Sequence, residues 1–521
     1  MTATIKSAIA ALALALPGLS LPNLAMADSL NVAMAGDIRS TNFGVNRDGN
    51  TDSVLAHIVE GLVAYRNDLS VGPLLAQSWT VSDDGRVYTF TLRDRATFHN
   101  GEPVTANDVV WSWERFLDEE TGFLCRRWFN GEGGTGIEIT GIKALDDKTV
   151  EFTLAEPNGL FLARMAHMVC LTGIIHPDSV SSDGEWINPI GTGPFTIGEW
   201  RSGQYVELNR FKDYVPVDAP ADGYSGARKA LVDSFRFTVI SDPAAAKIAL
   251  LAGDIDVLPG LDLNAVPEVE ATGTIDVQTV STPGWEIMLI QNDDPLLQDV
   301  RIRRAMAHAI DIDAVTSGAT AGMGKPNPSA AARTGDFFND TFAKGLEYSP
   351  ERARALLAEA GYDGQEITLI SNTRSAFDEI SAIAIQSMLQ QVGFNIKLEI
   401  LDWSSQFARY RDGDFQLMVM SFSPRTDPTL MLDVVVDSDE ARANAFVNDP
   451  KIVEMVARSG AETDLDKRRA LLAEIHQLFI EDASVLGLFN HPQVVAVGDR
   501  VSGFEQWTLG KPRLWNVRVS E

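Results

Sequence analysis

The sequence predicts an α/β protein built from more than one domain. In the first third of the chain, a β-hairpin pattern is followed by a helix pattern, and between residues 299 and 422 helices alternate with strands. The length is the third observation, because 521 residues correspond to roughly three domains at about 150 residues each.

The first elements are a hairpin and a capped helix. Residues 79–82 and 86–92 flank Asp83-Asp84-Gly85, which predicts two strands joined by an Asp-Gly turn. Thr105 is the predicted N-cap of the next helix. Its apolar positions share one helical face: Val109, Val110, Trp113, Phe116 and Leu117. This part is therefore predicted to be an α+β unit.

The later elements alternate. Asp299 is a predicted N-cap, and Ser349-Pro350 opens a helix that Gly361 ends. The next helix ends at Gly393, and its apolar periodicity is carried by Phe377, Ile380, Ala384, Met388 and Val392. A strand over 396–400, a short helix over 403–410 and an apolar strand over 415–422 follow. This order is typical of a mostly parallel sheet. The stretches 213–226 and 318–338 are predicted surface connections.

The N-terminus has the pattern of an export signal. Lys6 is the only charged residue before Asp28, an apolar run occupies residues 8–16, and Ala25-Met26-Ala27 forms an A-x-A site. The run is too short to span a bilayer, which requires about twenty residues. We expect residues 1–27 to be a signal peptide cleaved after Ala27, and the mature chain to reside in the periplasm. No later stretch predicts a membrane span.

Charge and motifs narrow the function classes. The formal net charge of −29 repels nucleic acid, so no nucleic-acid partner is expected. The run Gly131-Glu132-Gly133-Gly134-Thr135-Gly136 matches a dinucleotide motif but follows no clear strand, which predicts a loop. No nucleophile motif is present, and the seven histidines lack helical metal-site spacing. We expect neither enzyme activity nor a metal or cofactor.

The chain has two cysteines, Cys125 and Cys170, and no C-x-x-C. In an exported protein such an isolated pair predicts a structural disulfide.

Four segments carry a family resemblance. They are residues 79–116, ending in WSWERF, residues 190–195 (IGTGPF), residues 299–311, and residues 353–364 with 386–403. Together they resemble the periplasmic solute-binding proteins of the oligopeptide, dipeptide and nickel ABC importers, known as family 5.

The resemblance implies a two-lobed, Venus-flytrap α/β fold with an extra α+β domain in the first lobe. The implied divisions are 28–65, 187–283 and 487–521 for lobe I, 66–186 for the extra domain, and 284–486 for lobe II. Two crossing strands would form the hinge, near 282–290 and 485–490. Gly284 and Gly487 are either hinge positions or ordinary turn glycines.

Resemblance also assigns ligand contacts. In peptide-binding relatives an arginine near the position of Arg374 binds a ligand carboxylate, and a tryptophan matching Trp403 lines the pocket. Arg374 is thus either a ligand contact or an exposed loop residue, and Trp403 either lines the pocket or packs in the core.

The departure from the family lies in residues 421–428. Relatives hold the peptide amino group with an aspartate here, whereas this chain has Pro424 or Arg425 at that position, with Asp427 close by. Arg425 favours an anionic group. The remaining candidate contacts are Phe422 and, in the loop 36–50, Arg39, Asn46 and Arg47.

These residues favour a small polar acid, such as an opine or another amino acid conjugate, with a peptide as the alternative. The expected partner is the permease of an ABC importer, and the chain is expected to be a monomer. The alternative hypothesis from another functional class is that the protein is a secreted hydrolase.

Overall fold

The structure is a computed structural model that describes residues 29–132, 137–436, 447 and 449–520. The predicted signal peptide and Gly133 to Gly136 of the glycine-rich run lie outside the described residues. Within the described ranges, no helix has both the length and the apolar character needed to cross a bilayer.

The strands are named in chain order. They are β1 Ser29–Met34, β2 Val63–Tyr65, β3 Val71–Pro73, β4 Ala76–Val81, β5 Val87–Leu92, β6 Ile139–Ala144, β7 Thr149–Leu154, β8 Phe195–Arg201, β9 Tyr205–Arg210, β10 Ser234–Val239, β11 Val257–Pro259, β12 Ile275–Ile290, β13 Lys325–Pro326, β14 Glu366–Asn372, β15 Asn395–Leu401, β16 Leu417–Phe422, β17 Val485–Gly498, β18 Val501–Ser502 and β19 Arg518–Val519.

The α-helices are named in the same way. They are α1 Gly49–Leu55, α2 Ala106–Leu117, α3 Phe161–Met165, α4 Pro243–Ala252, α5 Val266–Glu270, α6 Val300–Ala309, α7 Ile312–Ala319, α8 Pro350–Ala360, α9 Ala376–Val392, α10 Trp403–Asp412, α11 Pro428–Leu432, α12 Pro450–Ala461 and α13 Leu465–Asp482.

One sheet of 11 strands runs through the molecule, in the order β15-β14-β16-β12-β17-β11-β1-β10-β9-β8 with β13 paired to β17. Strands β12 and β17 are long, antiparallel and central. We call the part on the β11 to β8 side the first lobe and the part that contains β14 to β16 the second lobe. Both lobes are thus joined through β12 and β17, which are the crossing strands.

The second lobe has the alternating order that the sequence predicts. Strand β14 is parallel to β15 and β16, and α9 forms the crossover between β14 and β15. The Ser375 side chain caps the start of α9, and Gly393 ends it in the left-handed region with φ of 112°. The predicted caps of α6 and α8, Asp299 and Ser349, also accept backbone N–H bonds.

Helix α9 is confirmed, but the five apolar residues that predict it do not all face the core. Ile380 is 41% exposed, whereas the polar Asp378 and Ser381 are buried with Ala382, Ile385 and Leu389. Apolar residues occupy more than one side of this helix, so periodicity does not single out a face. In the observed orientation of α9, Asp378 is buried and makes polar contacts with Asn372 and Ser421.

Residues 66–186, which the resemblance implies as an extra domain and which we call the inserted segment, contain a separate antiparallel sheet in the order β4-β5-β7-β6. Helix α2 starts at the predicted cap, where Asp108 accepts hydrogen bonds from the backbone N–H and hydroxyl of Thr105. Trp113 on α2 is fully buried and meets Phe129 and Phe152 edge to face. The apolar residues of this segment form one continuous core with β1 and β10 of the first lobe.

The disulfide predicted from the cysteine count is present. It joins Cys125 to Cys170, whose Cα atoms are 5.6 Å apart, and both residues are buried.

The pairing of the crossing strands shifts register at two points, between Ser281 and Trp285 and between Glu286 and Ile287. Between the pairs Ser281–Pro492 and Trp285–Asn490, three residues of β12 oppose His491 alone. A Cβ on Gly284 would lie 2.5 Å from His491 Nδ1, and a Cβ on Gly487 would lie 2.5 Å from the Trp285 ring. Both glycines lie within strands, so the turn alternative is wrong, and close packing requires them.

Candidate functional site

A cavity of about 350 Å³ lies between the two lobes. The inserted segment contributes one wall, and the second lobe contributes the other. The lining residues are Trp128, Arg164, His167 and Val169 on the first side and Ser423, Pro424, Arg425, Leu430, Asp433 and Val434 on the second. A cavity of this size fits a small solute.

Arg425 reaches this cavity from the loop between β16 and α11. The apolar strand β16 ends at Phe422, and Asp427 caps α11, so Ser423 to Thr426 form a short connection after the strand. The Nη1 group of Arg425 donates to the Ser423 carbonyl oxygen at 2.9 Å, and no described carboxylate forms an ion pair with it. Burial lowers the pKa of Arg425, which nevertheless stays a cation at neutral pH.

Arg164 faces the cavity from α3. It is only 5% exposed, and its guanidinium stacks on the Trp128 ring at 4.2 Å from the ring centre. No hydrogen bond or ion pair joins this guanidinium to another described residue, and its buried Nε is without an acceptor. Burial lowers the pKa of Arg164 to about 10, which leaves it positively charged at neutral pH.

His167 is a neutral hydrogen-bond donor in the same wall. Its Nδ1 accepts the Val169 N–H at 3.2 Å, so the proton of the neutral ring lies on Nε2. Burial, together with the charges of Arg164, Arg425 and Arg47, lowers the pKa of His167 to about 3. The cavity therefore combines cationic groups with a neutral N–H donor.

Three predicted contacts lie outside the cavity lining. Arg374 is exposed before α9, and its guanidinium lies 4.7 Å from the centre of the Trp403 ring. Trp403 is half-buried and also stacks on Phe407. Phe422 is buried in the core of the second lobe, next to Tyr410.

The hydrogen-bond partners of Asp427 lie within the second lobe. Its oxygens accept two hydrogen bonds from Arg468, at 2.6 and 2.7 Å, and one from the Thr429 backbone N–H. Both charged side chains are 5% exposed. Asp427 thus stabilises the start of α11 and does not line the cavity.

The loop before α1 also satisfies its own charges. The Arg47 guanidinium makes a bidentate contact with the carboxylate of the buried Asp52, and Arg39 forms an ion pair with Asp48 at 3.3 Å. Asn46 is exposed, and its carbonyl oxygen accepts from the Ser40 hydroxyl. Of these residues only Arg47 influences the cavity, through its charge near His167.

Sequence reasoning missed Arg164, His167 and Trp128. One signal was available, because Arg164 is the only charged residue in the apolar run 159–169. An isolated charge in such a run must find a partner or face a polar cavity.

A second polar cluster connects the crossing strands to α9. The Ser421 hydroxyl lies 2.7 Å from Glu286 Oε2 and 2.5 Å from Asp378 Oδ1. His491 Nε2 lies 3.2 Å from Glu286, and Asn372 donates to Asp378 at 2.6 Å. Burial is the main cause that raises the pKa of Glu286 and of Asp378 to about 7.

A match to a family model identifies the family of this chain. The family model described as bacterial extracellular solute-binding proteins, family 5 Middle, matches residues 70–442. The chain belongs to this family. The resemblance to the periplasmic solute-binding proteins of ABC importers is thereby confirmed, and so is the two-lobed α/β fold class.

The similarity to known proteins covers nearly the whole chain, both in sequence and in structure. The probable D,D-dipeptide-binding periplasmic protein DdpA of Escherichia coli K12 is 26% identical over 493 residues, which cover 92% of this chain and 91% of that protein. HbpA2 from Haemophilus parasuis superposes with a TM-score of 0.83 at 23% identity and covers 95% of this chain and 100% of its own. AgaA from A. tumefaciens R10, solved with agropinic acid, has a TM-score of 0.69 at 26% identity and covers 95% and 99%.

These relatives are named as binding proteins, which agrees with the expectation that this chain is not an enzyme. In the described ranges, no three His, Cys, Asp or Glu side chains come together as metal ligands would.

Proposed function

We propose that this family 5 protein captures a small carboxylate-bearing solute in the interlobe cavity and delivers it to the permease of an ABC importer. The solute would be an opine-type acid or another amino acid conjugate. The cavity receives residues from both lobes, so a bound solute would favour their closed arrangement.

The position of Arg425 in this cavity carries the proposal. Its guanidinium has no carboxylate partner among the described residues, and an arginine can bind a carboxylate through two parallel, charge-assisted hydrogen bonds. In peptide-binding relatives the corresponding segment supplies an aspartate for the peptide amine. A cation there would repel that amine and attract an acid.

One relative supports an acid conjugate as the solute. AgaA, which shares 26% identity along nearly the whole chain, was solved with agropinic acid. Agropinic acid is therefore a suitable first compound in a binding panel.

A peptide is the second candidate. DdpA is named as a probable D,D-dipeptide-binding protein, and Asp433 in the cavity wall could attract an amine. Asp433 also has other contacts of its own. A solute with both an amine and a carboxylate would suit a wall that holds both charges.

Native mass spectrometry of the purified protein should show a bound acid, recovered chemically unchanged. Unchanged recovery would also argue against the secreted hydrolase. Calorimetry with agropinic acid and di- and tripeptides should then show that Arg425→Ala weakens acid binding by at least about tenfold. Arg374→Ala should have a smaller effect, because Arg374 does not line the cavity.

The matched control is Arg411→Ala, which removes an exposed charge from α10 of the same lobe. If peptides with uncharged side chains bind tightly and none of the acids binds, the proposed acid solute is rejected and the peptide is favoured.

A further inference from the structure

We propose that Arg164, on the inserted segment, binds the anionic group of the solute from the first-lobe side of the cavity and thereby determines specificity. This inference rests on the proposed function and adds a residue to it. The anion would lie between guanidinium groups that come from opposite walls, Arg164 and Arg425.

The lack of a partner sets Arg164 apart from the other buried arginines. Among the described residues, five other arginines are at most 9% exposed, and each donates to protein acceptors: Arg93 to Glu60, Arg228 to Tyr224, Arg303 to Asp482, Arg468 to Asp427 and Arg513 to Asn67. Arg164 is 5% exposed and has no such acceptor among the described residues. Burying a charge without hydrogen-bond partners is strongly unfavourable, so the missing acceptor is expected to be a ligand.

The surroundings hold Arg164 in place for this role. Its guanidinium lies over the face of Trp128, which limits the rotamers available to it. Trp128 in turn packs edge to face with His167 at 5.1 Å. A guanidinium that is ordered before binding loses less conformational entropy when a solute arrives.

The donors in the cavity match an oxyanion. Arg164 and Arg425 provide charged N–H groups, and the neutral His167 provides an Nε2–H. Asp433 is the acidic group in the lining, and its charge favours the ionised form of Arg164. Oxygen atoms of a carboxylate or of a phosphate could accept these bonds, so the shared chemistry is that of a small oxyanion.

The test compares Arg164→Gln with Arg164→Lys and with Arg127→Gln in the full mature chain. Arg127 is exposed and adjacent to Trp128 but does not line the cavity, so its substitution removes a nearby charge and one exposed hydrogen bond, to the Glu132 carbonyl oxygen. Each protein is titrated by calorimetry with agropinic acid, a set of other carboxylates, inorganic phosphate and neutral peptides at constant ionic strength. Stabilisation by the same compounds is followed by thermal unfolding.

We expect Arg164→Gln to weaken oxyanion binding by about thirtyfold or more, because the ligand charge loses its partner. Arg164→Lys should retain part of the affinity, since it keeps the charge but not the planar fork. Arg127→Gln should bind like the wild type. Without any ligand, Arg164→Gln should be at least as stable as the wild type, because it removes an unpaired buried charge.

Three results would overturn the assignment. They are oxyanion binding that survives in Arg164→Gln but not in Arg425→Ala, a loss of ligand-free stability in Arg164→Gln with binding unchanged, and the absence of any stabilisation of the wild type by the whole oxyanion set. The first two leave the proposed function intact. Binding of neutral peptides alone by the wild type would instead contradict the proposed solute class, whatever the variants do.

Discussion

Glu286 and Asp378 lie on either side of a single hydroxyl group, that of Ser421, at 2.7 and 2.5 Å. A hydroxyl has one proton and can donate to only one of them. The other carboxyl must therefore be protonated and donate to the Ser421 oxygen. Of the remaining neighbours, burial lowers the pKa of His491 to about 4, and this neutral ring can donate its Nε2–H to Glu286. No described Lys or Arg forms an ion pair with either carboxyl.

This shared proton predicts a stability that falls as the pH rises. The pKa values of Glu286 and Asp378 are raised to about 7, whereas unfolded carboxyls titrate near 4. Between these values the folded state holds a proton that the unfolded state releases, so the free energy of unfolding decreases with increasing pH. Asp378→Asn should remove the contribution of Asp378 and so reduce this slope, while burial keeps the pKa of Glu286 raised, and it should be more stable than the wild type at about pH 8.5. Urea unfolding across the pH range measures the difference.

The matched control for the pH experiment is Glu379→Gln, which removes a carboxylate from the next position of α9. It should keep the wild-type slope. An equal slope in the wild type and in Asp378→Asn would show that the pair does not share a proton.

Local structure follows closely from local sequence in this protein. Thr105, Asp299, Ser349 and Gly393 mark helix ends because their side chains or backbone conformations satisfy the helix termini, and neighbouring residues suffice for that. The hairpin around Asp84-Gly85 is equally local. The buried face of α9 is not, since it depends on Ser421 and Glu286, which are distant in sequence.

For the same reason, the sequence predicts only some of the residues that line the cavity. Arg425 follows an apolar strand, and its cavity position was expected from the family pattern. Arg164 approaches Arg425 only because the inserted segment packs against the second lobe, a relationship between residues more than 250 positions apart. Asp427 shows the converse, because its pairing with Arg468 cannot be inferred from the residues around either one.

The disulfide should contribute measurably to stability. It closes a loop with a sequence separation of 45, for which the chain-entropy model gives about 4 kcal/mol. The variant Cys125→Ala/Cys170→Ala is expected to unfold at lower urea concentration, with a loss of about 2–4 kcal/mol. Reductant should lower the midpoint of the wild type to a similar value and leave the variant unaffected. A wild-type midpoint that is insensitive to complete reduction would contradict this.

Asp427 should matter for stability and not for solute contact. Asp427→Asn leaves the buried Arg468 without its counter-charge, which costs about 3–5 kcal/mol. Calorimetry on the fraction that stays folded should give an affinity near that of the wild type. The double variant Asp427→Leu/Arg468→Met, which removes both charges, should recover much of the stability. Loss of solute binding in a variant that remains fully folded would place Asp427 in the binding site after all.

The last prediction concerns Tyr65, which links the lobes beside both cavity arginines. Its hydroxyl donates to the Ala163 carbonyl oxygen at 2.6 Å and accepts from the Thr426 hydroxyl at 2.6 Å. Ala163 precedes Arg164, and Thr426 follows Arg425. One buried hydroxyl therefore connects the two walls that would hold the solute.

Tyr65→Phe should weaken solute binding, because it removes an interlobe hydrogen bond and leaves the Thr426 hydroxyl buried without that partner. A loss of about 1–2 kcal/mol corresponds to about five- to thirtyfold in affinity. Thr426→Val should have a similar effect, and the double variant should cost less than the sum of the two, since both remove the same bond. Tyr348→Phe, at a residue that is 47% exposed, is the control. Calorimetry on the four variants decides the matter: additive losses would mean that the two residues act independently and that this hydrogen bond does not couple the walls.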